Sequence, residues 1–158
     1  MLEHLRHEVY ELFTHKGVRI EVSEKVDLLN FCCLKIRYQP AQGMTLVVGR
    51  FTDDFLELLL ICHEFGHVVH YENLSREDAE VAYCTIFASN YRGLENISPE
   101  GKQLVISIEK KASEYAMALL RTLTNEKSIL DRARNTYNEW IAGYLRKANL
   151  SETYALAS

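Results

Sequence analysis

His63, Glu64 and His67 form the one constellation in this sequence whose residue types and spacing point directly to chemistry. In a helix, residues i and i+4 lie about 400° apart, so two imidazoles project from one face about 6 Å apart and can bind a single ion. Glu64 lies about 100° round from His63. It cannot readily share the histidines' bond directions, but it can reach a water held by the same ion and act as its base. The pattern is H-E-x-x-H, filled here by His63-Glu64-Phe65-Gly66-His67, and zinc is the ion it suits.

The carrier of these residues must be a helix, and the sequence supplies one. Apolar residues fill Phe55, Leu56, Leu58, Leu59, Leu60, Ile61 and Cys62, then Phe65, Val68, Val69 and Tyr71. A helix apolar nearly all round is central and buried. Three titratable side chains inside it carry a desolvation cost that needs partners or a purpose. Neighbours on the same segment have plainer readings. His70 reads first as a satisfied polar residue at a helix end, Cys62 as core, Tyr71 and Tyr115 as members of apolar stripes, and Lys110-Lys111 as a solvated face.

Around this helix the chain reads as one α+β domain over residues 1–147. Residues 2–16 repeat Leu2, Leu5, Val9, Leu12 and Phe13 at helical spacing, and Gly17 is placed to end the helix. Residues 18–22 and 33–39 alternate with period two, Pro40-Ala41-Gln42-Gly43 is turn chemistry, and residues 44–48 form a short apolar strand. These predict a small three-stranded antiparallel sheet packed on helices. Thr52 is placed to cap the central helix, with Asp53 and Asp54 in its first turn.

Downstream, Ser75 and Asp78 resemble a capping box before a helix over 76–90 marked by Ala79, Ala82, Tyr83, Ile86 and Phe87. Ser98-Pro99 starts another that runs to about residue 121 on the stripe Leu104, Val105, Ile108, Ala112, Tyr115, Ala116 and Leu119. Thr124 or Asn125 caps a last helix whose Leu130, Ala133, Tyr137, Trp140 and Tyr144 should dock on the domain or on a partner. Residues 148–158 have little to bury and read as a flexible tail.

Composition narrows the function classes. A formal net charge of −4 and the lack of a basic stripe argue against direct nucleic-acid binding. The charged start, without an apolar core, and the absence of an apolar run of about 18 residues argue against export and membrane insertion. Four cysteines without C-x-x-C spacing fit a reducing cytoplasm.

With these elements in order, the chain resembles the ImmA/IrrE-type zinc metallopeptidases. The matching parts are the N-terminal helix, the strands, the helix with His63-Glu64-Phe65-Gly66-His67-Val68-Val69-His70, and a later helix from Glu109 reading Glu-x-x-Ala112-x-x-Tyr115-Ala116-x-x-Leu119-Leu120. The resemblance spans roughly the first three quarters of the chain. It implies a zincin-like fold, the third metal ligand on Glu109, and a cytoplasmic peptidase, often of phage or mobile-element origin, that cuts a helix-turn-helix repressor. The chain departs from the family in continuing Leu119-Leu120 with Arg121-Thr122, and in the extra helix over 76–90.

Sequence alone leaves Glu109, Glu114 and Glu80 competing for the third position. Glu109 borders the apolar face beside Ala112 and Ala116, whose small side chains would let its helix approach the metal helix at Gly66. Glu114 lies some 140° away in projection, and Glu80 would need a sharp reversal right after the metal helix. Two histidines and Glu109 leave a fourth position open for water, the arrangement of catalytic rather than structural zinc. Glu64 then serves as general base and returns the proton to the leaving amine. The alternative is a metal-stabilised interaction module, a lapsed peptidase that binds a regulator without cutting it.

Overall fold

The computed structural model describes residues 1–25, 27–36, 43–151 and 155–157. In chain order they form α1 (Leu2–His15), β1 (Arg19–Val22), β2 (Cys32–Ile36), β3 (Met44–Val48), α2 (Asp54–Glu72), α3 (Arg76–Arg92), a 3-10 turn (Leu94–Asn96), α4 (Pro99–Leu123) and α5 (Lys127–Ala148). The class is α+β, as the patterning predicts. The last part of the expected strand over 33–39 and most of the expected turn at 40–43 lie outside the described residues.

The sheet is mixed, not antiparallel. Its order is β1-β3-β2: β3 pairs antiparallel with β2, and parallel with β1. Alternation identifies a strand and its faces but not its neighbours, and here burial decides the order. Four of the five residues of β3 are buried, so the most apolar strand takes the centre. β1 and β2, with more exposed residues, flank it.

α2 is the axis of the molecule, as its all-round apolarity requires. Phe55, Leu58, Leu59, Ile61, Cys62, Phe65, Val68 and Tyr71 are all buried on it. One side meets α1, where Phe13 and Phe65 make an edge-to-face ring contact at 5.2 Å. Another meets α4, the most extensive helix pairing in the chain. Asp53, not Thr52, caps α2 by accepting from the amides of Phe55 and Leu56. Thr52 is instead engaged by Asn30, whose side chain exchanges hydrogen bonds with its amide and hydroxyl.

The later helices begin largely where their caps predict. Ser75 accepts from the Asp78 amide and Ser98 from the Gly101 amide. α5 begins at Lys127 with Glu126, not Thr124 or Asn125, at its N-cap and no side-chain cap, while the Thr124 hydroxyl accepts from the Glu126 amide just before it. The buried face of α5 runs through Ala133, Tyr137, Ile141, Leu145 and Ala148 and docks on the domain itself. Trp140 and Tyr144 stand at the border of that face. Phe87, expected on a core stripe, is 61% exposed, because α3 packs mainly on α4 and the 3-10 turn and buries just Ala82 and Ser89. The tail finds something to bury after all: Leu156 enters the main core and its amide donates to Asn138. Among the described residues no helix is long and apolar enough to cross a membrane.

Candidate metal centre

The site is built where α2 crosses α4. Gly66 sits at the crossing, and a Cβ there would lie 2.1 Å from the carbonyl oxygen of Ala112. Only glycine against this backbone allows so close an approach. The approach has a direct consequence, because His63 and His67 flank Gly66 on α2 while Glu109 lies one turn before Ala112 on α4. All three become buried neighbours.

Their ligand atoms fall within 4.8 Å of one another. His63 Nε2 is 3.0 Å from Glu109 Oε2, and His67 Nε2 is 3.7 Å from Glu109 Oε1. Both ring nitrogens therefore face one carboxylate, and small side-chain adjustments suffice for the three to share an ion. Two imidazoles and a carboxylate, gathered out of water, form a donor set that could hold a metal ion. Aromatic rings fix the imidazoles. Trp140 and Tyr137 pack on His63 at 5.9 and 6.1 Å, and Tyr71 stacks on His67 at 6.1 Å.

Electrostatics tie the three together. Burial opposes a charge on His63, but the hydrogen bond and negative charge of Glu109 outweigh it and raise its pKa. Burial lowers His67 to about 4, with Glu109 only partly compensating. On Glu109 burial pushes upward, yet the histidines and the Tyr144 hydroxyl, which donates to the carboxylate, hold it below the usual range. Neutral imidazole and ionised carboxylate are the forms that ligate.

Glu64 points elsewhere, as its position on the helix requires. Its Oε2 accepts from the amide of Leu34 on β2 at 2.8 Å, and burial raises its carboxyl to about 7. It lies with His63, His67 and Glu109 on a cleft of about 910 Å³ walled by β2, α3 and α5. The competing glutamates are not in the group. Glu114 is exposed and paired with Lys111 at 2.8 Å, and Glu80 lines a different groove beside α3.

Some supporting residues escape sequence reasoning. Ser113 Oγ lies 3.3 Å from His63 Nδ1, the kind of contact that fixes a ligating ring. Its position at i+4 from Glu109 was the available signal. Tyr144 carried none, since its reach to Glu109 depends on how α5 crosses α4. His67 Nδ1 is buried with no hydrogen-bond partner among the described residues. His70 is half-buried between Tyr71 and Tyr115 and outside the ligand group. Cys62 is fully buried in the core. No family model, curated protein or solved structure matches the chain.

Proposed function

We propose that this chain is a zinc-dependent metallopeptidase of the ImmA/IrrE type, zincin-like in fold, that hydrolyses a peptide bond in a cytoplasmic regulatory protein such as a helix-turn-helix repressor. One observation carries the reading. His63, His67 and Glu109, the last 42 residues beyond His67 in sequence, converge as a buried donor set with Glu64 beside it on an open cleft. A structural metal site has no need of a carboxylate held next to its ligands and facing solvent space.

The residues divide the work. His63, His67 and Glu109 would hold the ion, which when bound supplies Lewis acidity toward water and a peptide carbonyl. Glu64 takes the proton of the attacking water and delivers it to the leaving amine. The Leu34 amide restrains one Glu64 oxygen and leaves the other free to move that proton. Tyr144 holds the outer side of Glu109, and Trp140 backs His63.

Incubating the purified protein with a candidate repressor, with zinc and with a chelator, tests the proposal. The protein should take up about one zinc ion per chain and cut only when it is loaded. Glu64→Gln should keep the zinc and lose about 10²- to 10⁴-fold in rate. A protein that refuses zinc at neutral pH, or a Glu64→Gln variant that cuts like the parent, overturns it.

A further inference from the structure

We propose that Ile86 and Phe87 on α3, facing the outer edge of β2 across the cleft, select a large apolar side chain of an extended substrate close to the bond that is cut. The choice of a polypeptide as occupant rests on the peptidase reading above. The selectivity comes from α3, which the resemblance does not account for.

Among the described residues no strand pairs with the outer edge of β2. β3 occupies one side of β2, and the Gly49 amide donates to Phe31 O across that side. Backbone groups alternate along a strand, so those of residues 31, 33 and 35 face β3 while those of Cys32, Leu34 and Ile36 face away. Leu34 confirms the direction, because its amide donates to Glu64 in the cleft. The flanking groups of Cys32 and Ile36 are therefore presented to whatever lies beside Glu64. Such an edge is matched by another extended backbone.

The α3 wall supplies the apolar partner surface. Tyr83, Ile86 and Phe87 line the same cleft, and Phe87 leaves 61% of itself in water. On the opposite side Phe31 is 36% exposed. Large apolar side chains held exposed on both rims of a cleft mark it as a binding surface. Alternate residues of an extended segment point the same way, so a residue near the scissile bond can reach α3 while the backbone follows β2. The cleft, about 910 Å³, is roomy enough for a large side chain together with the backbone on either side of it. Its rim charges, Lys35, Lys147 and Glu139, are of mixed sign and do not select a strongly charged ligand.

The test uses the zinc-loaded full chain as Glu64→Gln, so that binding is read without turnover. Trp140, the single tryptophan, lines the cleft and reports occupancy by its fluorescence. The probes are hexapeptides with a central Leu or Phe, the same peptides with a central Ser, and versions N-methylated at alternate amides. Leu and Phe peptides should bind about tenfold tighter than Ser peptides, the worth of burying one large apolar side chain, and N-methylation should weaken them. Phe87→Ser should remove the discrimination and Phe87→Leu keep it. Val81→Ser, on the other groove of α3, should leave it unchanged and so control for the folding of the helix. Equal binding of Leu and Ser peptides, or discrimination that survives Phe87→Ser, overturns this selection. Discrimination without any cleavage by the zinc-loaded parent would leave the selection standing and remove the peptidase reading; cleavage without discrimination would do the reverse.

Discussion

Replacing Gly66 by alanine asks whether the crossing of α2 on α4 is what assembles the site. The added Cβ would lie 2.1 Å from the Ala112 carbonyl oxygen and 3.0 Å from its Cα, against ordinary contact from 3.4 Å. The two helices must then part by about 1.3 Å. Both partners are backbone, so no rotamer change absorbs the overlap. Overpacking of a buried contact costs ~1–3 kcal/mol, and two facing backbones belong at the upper end of that range. The better helix propensity of alanine returns about 1 kcal/mol. The net loss of about 2 kcal/mol corresponds, for a domain of this length, to a fall in Tm of roughly 4–8 °C. The same separation carries Glu109 away from His63 and His67, so zinc affinity should drop at least about tenfold. Thermal unfolding in excess chelator isolates the first effect, and competition with a chromophoric chelator reads the second. Gly143→Ala is the control: its added Cβ meets only the tip of Arg146 at 3.8 Å, so stability should hold or rise. A Gly66→Ala protein with the parent's Tm and the parent's zinc affinity would refute the account.

Glu109→Gln should weaken zinc binding by at least about tenfold, while Glu114→Gln and Glu80→Gln leave it nearly unchanged; equal affinities for Glu109→Gln and the parent would place the third ligand elsewhere. Tyr144→Phe removes the hydroxyl that donates to Glu109 and should cost about tenfold in zinc affinity by the same competition, with Tm in chelator little changed. Tyr137 donates to the Leu59 carbonyl at 2.8 Å from a fully buried position. Tyr137→Phe should therefore cost about 1 kcal/mol, read as a Tm lower by about 2–4 °C.

What the sequence made legible was what depends on near neighbours in the chain. The pairing of His63 with His67 follows from one turn of helix, and the burial of α2 from apolar residues on every side of it. The start of α4 follows from Ser98 and Pro99. Glu109 is a harder case: the small residues Ala112 and Ala116 beside it and Gly66 opposite mark a close helix crossing, and the structure places Ala112 against Gly66 and Glu109 beside His63 and His67. Where a position depends on which distant element arrives beside it, the signal fades. The alternation of residues 18–22 and the apolar run of 44–48 fit a parallel or an antiparallel neighbour equally well. Thr52 is a sound cap by type, but the helix starts one residue later, so Asp53 takes the cap position and Thr52 is engaged by Asn30, 22 residues earlier.

The same distinction explains why the candidate metal-binding group was easier to read from the sequence than the cleft that surrounds it. Ligation demands particular side chains at fixed helical offsets, so the chemistry leaves its mark on the sequence. A cleft demands only that some apolar side chains stay uncovered. Ile86 and Phe87 follow helical spacing with Ala79 and Ala82 and so look like core. Phe87 becomes a rim residue because α3 is held mainly by α4 and the 3-10 turn, and Val81, Cys84 and Phe87 on it stay exposed. Its exposure is thus a property of the tertiary arrangement. It is also the property by which a substrate would be chosen, since an apolar side chain already covered by the fold has nothing left to offer a ligand.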